Sequence, residues 1–146
     1  MLKTFLTPEH IQIVDNTAHW QEAVETVARP LLDFGFITPA YVQKIFADYE
    51  NSGPYFVIAP GIAMPHARPQ DGVLKQGLSL LVVRQGVNFE CENDPVRIIV
   101  MLCATDSNSH VTMLSKLAEI LGDAEAVMAL SQATDVAEIS ALIAAF

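Results

Sequence analysis

The chain has 146 residues, about half of them hydrophobic, and a formal net charge of −9. That length suits one domain over residues 1–146 with a real core, and the negative charge argues against nucleic acid or anionic membrane as the main partner, since both reward clustered Lys and Arg. A basic protein partner suits it better. The longest apolar runs, Leu78 to Val83 and Ile98 to Ala104, are strand-sized and too short to span a bilayer, so no direct membrane insertion is expected. Met1 to Thr4 begins no credible signal peptide, which points to a cytoplasmic protein. Cys91 and Cys103 show no metal-type spacing and read as free thiols, Cys103 as a small core residue of a strand.

His10 to Asp15 alternates apolar with polar residues around Ile11, Ile13 and Val14, the pattern of an edge strand. A helix follows, with Asn16 or Thr17 as its cap and Trp20, Val24, Val27, Leu31 and Phe34 on one face. Gly35 ends it, and Pro30 predicts a kink or break near Val27. His19 reads as an exposed, functionally silent residue. Thr38-Pro39 is a strong start for a second helix, a capping hydroxyl before a first-turn proline. That helix presents Val42, Ile45, Phe46 and Tyr49 at helical spacing and stops at Asn51 to Pro54, with Lys44, Asp48 and Glu50 on its solvated side.

Tyr55 to Ala59 reads as a strand leading into Pro60-Gly61-Ile62-Ala63-Met64-Pro65-His66-Ala67-Arg68-Pro69, where three prolines surround one histidine. Proline fixes its own φ and pushes the preceding residue toward extended conformations, so Met64 and Arg68 should be extended, while Gly61 permits a sharp turn. The expectation is a stiff loop holding an imidazole at a strand end. Read from these residues alone, His66 is either an ordinary surface histidine or the fixed group of a site.

After the turn Gln70 to Gly72, Leu78 to Val83 and Val96 to Ala104 read as interior strands, covered on both faces. Val87 to Glu90 is a weaker strand, and Asn93 to Pro95 a turn. The capping-rich run Asp106 to Ser109 leads into a helix from His110 to Leu121, with Val111, Leu114, Leu117, Ala118 and Leu121 on one face. Two shorter helices follow, capped by Asp123 and by Thr134 or Asp135. The fold class is α/β, a single three-layer domain with a mixed β-sheet flanked by helices.

Gly61-Ile62-Ala63-Met64-Pro65-His66 resembles the active-site segment of phosphotransferase-system enzyme IIA proteins of the mannitol/fructose type, where a small-apolar-Pro-His run carries a phosphorylated histidine. The resemblance extends over nearly the whole chain, and the stretch Gly53 to Gly61 is more specifically similar to the L-ascorbate branch. It implies that His66 is the phosphorylated nucleophile and that His110 faces it and stabilises the phosphoryl group. It implies further that HPr supplies the phosphoryl, that a cysteine of a separate enzyme IIB receives it, and that the sugar is recognised by the membrane component. No cofactor or metal enters this chemistry, and a homodimer is left open.

Histidine suits the task because neutral imidazole is a good nucleophile near pH 7 and the P–N bond stays labile. Transfer requires positioning and donors for the phosphoryl oxygens. The backbone amides of Ala67 and Arg68 are expected to be free for this, unlike the two neighbouring prolines. The arginine and glutamate of the mannitol/fructose branch are replaced here by Asp48-Tyr49-Glu50 and Ile58-Ala59-Pro60. Arg68 is then the first choice for a phosphate-pairing guanidinium, with Arg84 and Arg97 as alternatives. Ile62, Met64 and Phe89 either form an apolar rim for partners or lie in the core. Two rival readings are a regulatory relative that never feeds transport and a metal-assisted hydrolase. Two histidines without nearby carboxylates are too few ligands for the hydrolase.

Overall fold

The computed structural model describes residues 2–146. A four-residue helix, α1 (Leu2–Phe5), and a 3-10 turn at Pro8–His10 precede strand β1 (Ile11–Val14). Helices α2 (Trp20–Asp33) and α3 (Pro39–Ser52) follow. Strands β2 (Val57–Ala59) and β3 (Ile62–Ala63) come next, then the long pair β4 (Gly77–Val87) and β5 (Val96–Cys103). Helices α4 (Ser107–Leu121), α5 (Ala124–Gln132) and α6 (Val136–Ala144) complete the chain.

The five strands lie in the order β1-β4-β5-β3-β2, so β1 is an edge strand as its alternation implied. β4 and β5 run antiparallel, while β1 on β4 and β3 on β5 are parallel, which makes the sheet mixed. Alternate residues of the central strands feed two cores, because successive side chains of a strand point to opposite faces. Leu78, Leu80 and Val82 with Ile98, Val100 and Leu102 pack under α1, α4, α5 and α6. Leu81 and Val83 with Ile99, Met101 and Cys103 pack under α2 and α3. The result is the expected three-layer α/β arrangement. Among the described residues no helix is long and apolar enough to cross a membrane.

Several local expectations change on folding. Helix α2 starts at Trp20 and is capped by His19, not by Asn16 or Thr17. The His19 Nδ1 accepts from the Glu22 amide at 3.2 Å, and a Glu22 carboxylate oxygen accepts from the Ala18 amide at 2.9 Å. His19 is exposed, as expected, but it has a structural task. Pro30 breaks nothing. Proline removes the donor that would bond the carbonyl four residues back, and that carbonyl, Thr26, instead accepts from the Gln12 side chain of β1 at 2.7 Å. Phe34 lies past the helix end, 51% exposed, stacked on the His10 ring, so it does not join the buried face.

Thr38 makes no side-chain cap to α3; its amide bonds Gly72 O at 2.9 Å instead. A side chain at Gly72 would meet the Thr38 hydroxyl, and its φ of 129° also suits glycine alone. β4 runs on to Val87, which pairs with Val96, so no separate strand occupies Val87 to Glu90. The strand expected over Tyr55 to Ala59 is only Val57–Ala59, and part of the proline-rich stretch folds back on it as β3. Helix α4 begins at Ser107 and buries Met113, Leu117 and Ile120. Val111 and Ala118 are exposed, a rotation of the expected face that follows from which side packs on the sheet. Asp123 and Asp135 cap the last two helices, the latter resolving the choice with Thr134.

Candidate active site

β3 delivers its chain parallel to β5, so both the proline-histidine segment and the start of α4 leave the sheet at the same end. Gly61 makes the turn before β3 with a φ of 78°. Met64 and Pro65 are buried, and Arg68 is extended as proline at 69 requires. The imidazoles of His66 and His110, 44 positions apart in sequence, meet with ring centroids 5.5 Å apart and planes tilted by 48°.

The segment around His66 is tied down almost atom by atom. The Met64 amide bonds Phe56 O at 2.8 Å, and Pro65 O accepts from the Leu102 amide at 3.5 Å. His66 O accepts from the Tyr55 hydroxyl at 2.9 Å. The Ala67 amide donates to the Tyr41 hydroxyl at 2.9 Å, and the Arg68 amide to an Asp71 carboxylate oxygen at 2.9 Å. The two amides expected to be free are therefore both occupied. Neither proline neighbour competes for those acceptors, since proline has no N–H.

The His66 ring itself is oriented by its own backbone. Its Nδ1 lies 2.8 Å from Met64 O. A carbonyl only accepts, so Nδ1 carries the proton and Nε2 keeps the lone pair. His110, in the first turns of α4, lies behind a helix start capped by Asp106, whose carboxylate accepts from the Ser109 amide at 2.7 Å. Burial, and then the charge of His66, hold the His110 pKa below its ordinary value. Its imidazole is thus biased toward the neutral form.

Both rings line one cavity of about 400 Å³ together with Asp48, Tyr55, Ala67, Arg68, Asp106 and Ser107. Burial pushes the Tyr55 hydroxyl up to about 12, helped by Asp48 and Asp71, so it stays a protonated donor. Arg68 sits at the rim with its side chain 67% exposed and its Nε 3.4 Å from Asp71. Arg84 and Arg97 are not brought here; they line a different cleft with Asp15 and α5. Ile62, Met64 and Phe89 are core residues, at 4%, 4% and 0% exposure. The apolar rim comes instead from Tyr55 and the outward-facing Val111. Among the described residues no three His, Cys, Asp or Glu side chains group as a metal ligand set.

Tyr41, Tyr55 and Asp48 are site residues that sequence reasoning missed. Tyr41 and Tyr55 reach the loop from 26 and 11 positions away, and no local pattern marks a hydroxyl for such a contact. Asp48 reads as solvated because it forms a spaced ion pair with Lys44, at 3.1 Å, on an outer helix face.

The fold and the site together are a mixed sheet flanked by helices, with two imidazoles lining one cavity at its end. The family described as the phosphoenolpyruvate-dependent sugar phosphotransferase system, EIIA 2, matches residues 4–145. The mannitol-specific cryptic phosphotransferase enzyme IIA component of Escherichia coli K12 is 35% identical over 142 residues, 97% of each chain. The ascorbate-specific EIIA component of Salmonella typhimurium is 47% identical over 92 residues, 62% of this chain and 60% of the relative. The solution structure of the Escherichia coli cryptic mannitol enzyme IIA superposes with a TM-score of 0.93 at 34% identity, over 99% of both chains. The Escherichia coli complex of mannitol enzyme IIA with phosphorylated enzyme IIB matches with a TM-score of 0.80 at 27% identity, over 94% of this chain and 96% of that one. This chain belongs to the enzyme IIA type 2 family, the carrier components of the sugar phosphotransferase system.

Proposed function

We propose that this chain is a cytoplasmic phosphohistidine carrier: His66 Nε2 takes a phosphoryl group from phospho-HPr and passes it to an enzyme IIB cysteine. The observation that carries the reading is the Nδ1 to Met64 O bond, which leaves Nε2 as the nucleophilic nitrogen of a ring lining the shared cavity. In the first step the Nε2 lone pair forms a P–N bond as the donor's P–N bond breaks in line, and the electron pair returns to the donor histidine. In the second, the acceptor thiolate forms a P–S bond as the Nε2–P bond breaks. The protein's share is position and charge, since phosphoryl transfer needs little covalent help.

His110 is the stabiliser in this reading. As a phosphoryl group settles on His66, its negative charge favours a protonated, donating His110 beside it, and the amino end of α4 adds a favourable dipole. Arg68 can swing from Asp71, a loose exposed pair, to a phosphoryl oxygen. With the Ala67 and Arg68 amides already engaged, Ala67 contributes by holding the loop, through its bond to Tyr41.

For the transported compound we favour L-ascorbate or a related sugar or polyol, supported by the higher identity to the ascorbate-specific relative over its matching stretch. The test is intact mass after incubation with phosphoenolpyruvate, enzyme I and HPr, with peptide mapping that preserves phosphohistidine. One phosphoryl on the His66 peptide, then chased onto an ascorbate-type but not a mannitol-type IIB, is the expected result. No added mass with partners active on a control IIA overturns the carrier role.

A further inference from the structure

The Tyr41 hydroxyl lies where the two histidine-bearing pieces of chain come closest to a common anchor. It accepts from the Ala67 amide at 2.9 Å, one residue after His66. It donates to Leu102 O at 2.6 Å, on the last turn of strand before the connection to α4 and His110. A weaker contact to Ala67 O at 3.3 Å lies beside these. The side chain is completely buried, and burial drives its pKa upward, so the hydroxyl keeps its proton throughout the working pH range. One O–H thus serves as acceptor for one segment and donor for the other.

Resting on the carrier reading above, we propose that Tyr41 is a positioning residue for phosphoryl transfer: its hydroxyl clamps the His66 loop to β5 and so sets the spacing between His66 and His110. Tyr55 cannot do the same work. Its hydroxyl bonds His66 O but reaches neither β5 nor α4, and its ring is 41% exposed. Proline stiffness cannot do it either. Pro65 and Pro69 restrict the loop's own dihedrals, which do not determine its distance from another segment, and the backbone bond from the Leu102 amide to Pro65 O is long at 3.5 Å, so the Tyr41 hydroxyl at 2.6 Å is the tighter tie to β5.

The geometry has a kinetic signature. A clamp that fixes the two rings acts on the step in which the phosphoryl moves, not on how well a partner docks on the outside. Tyr41→Phe should lower the single-turnover rate of His66 phosphorylation at saturating phospho-HPr by about 10-fold or more, since small misplacements of reacting groups have effects of up to about 100-fold. The half-saturating donor concentration should stay within about twofold, because Tyr41 is buried away from any docking surface.

The experiment is that rate split in the full chain, with amide exchange read in the unmodified protein alongside. In the unmodified chain the Ala67 amide should exchange slowly for a loop position, and the protection should vanish in Tyr41→Phe. A folded Tyr41→Phe that transfers at the normal rate, or loses only apparent donor affinity, overturns the proposal. If that variant does not fold, a rapidly exchanging Ala67 amide in the unmodified protein overturns it, and slow exchange supports the clamp. Failure of the unmodified protein to take phosphoryl on His66 would sink the carrier reading instead, and the exchange result would still report on the clamp.

Discussion

The two histidines of the cavity are held by opposite means. His66 sits in a segment where the backbone groups on both sides are bonded to Phe56, Leu102, Tyr55, Tyr41 and Asp71, and its ring is pinned by Met64 O. His110 rides on a helix start secured by the exposed carboxylate of Asp106, with the exposed Val111 beside it. On the carrier reading, a group that forms and breaks a covalent bond must point one way, and a group that stabilises the developing charge acts best from a fixed place, which a helix start supplies. The contrast is between a ring tied to its own loop and a ring carried by a capped helix start.

The sharpest way to break that comparison is His66→Ala. Phosphoryl acceptance should vanish, with the melting temperature little changed because the ring is only half-buried; phosphorylation of that variant by HPr would put the nucleophile elsewhere. Next comes His110→Ala, for which we expect transfer slowed by about 100-fold, in the range for loss of one transition-state donor, with the fold intact. Normal rates would reduce His110 to a helix-start residue.

Tyr41→Phe should also cost about 1–3 kcal/mol of stability, the usual penalty for leaving buried polar groups without a partner, here the Leu102 carbonyl together with the half-buried Ala67 amide. Urea unfolding measures this, and an unchanged midpoint would mean that water replaces the hydroxyl without loss. Arg68→Ala should have the smallest effect, a few-fold at most on transfer, since exposed pairs contribute about 0–1 kcal/mol. Unchanged transfer kinetics in that variant would remove Arg68 as a phosphoryl contact.

Titration tests the helix-borne histidine directly. The folded pKa of His110 is depressed, first by burial and then by the charge of His66. Between that value and the ordinary histidine pKa the unfolded chain binds more protons, so His110 makes stability fall as pH drops through this window. Followed by NMR, the His110 pKa should rise part of the way in His66→Ala, which removes the second cause but not the first. It should rise further when His66 is phosphorylated; no movement on phosphorylation would separate the two rings electrostatically.

Much of this protein was determined by local sequence alone. Alternation placed β1 at an edge, unbroken apolar runs made β4 and β5 interior strands, Asp123 marked the start of α5, and the pair Thr134 and Asp135 marked that of α6. The prolines around His66 announced a stiff loop because φ restriction is a property of the residue itself. Other features were decided only by tertiary contact. Pro30 passes unbroken through α2 because Gln12, 18 positions earlier, serves the carbonyl it orphans. Helix α4 buries Met113 in place of Val111 because the sheet, not the helix, chooses which stripe faces inward. The cavity itself belongs to this second class: Tyr41 reaches Leu102 across 61 positions, and hydroxyl bonds at that separation depend on where the strands bring the chain. Periodicity and backbone restriction act over one turn or one strand; satisfying the last donors and acceptors requires the whole fold.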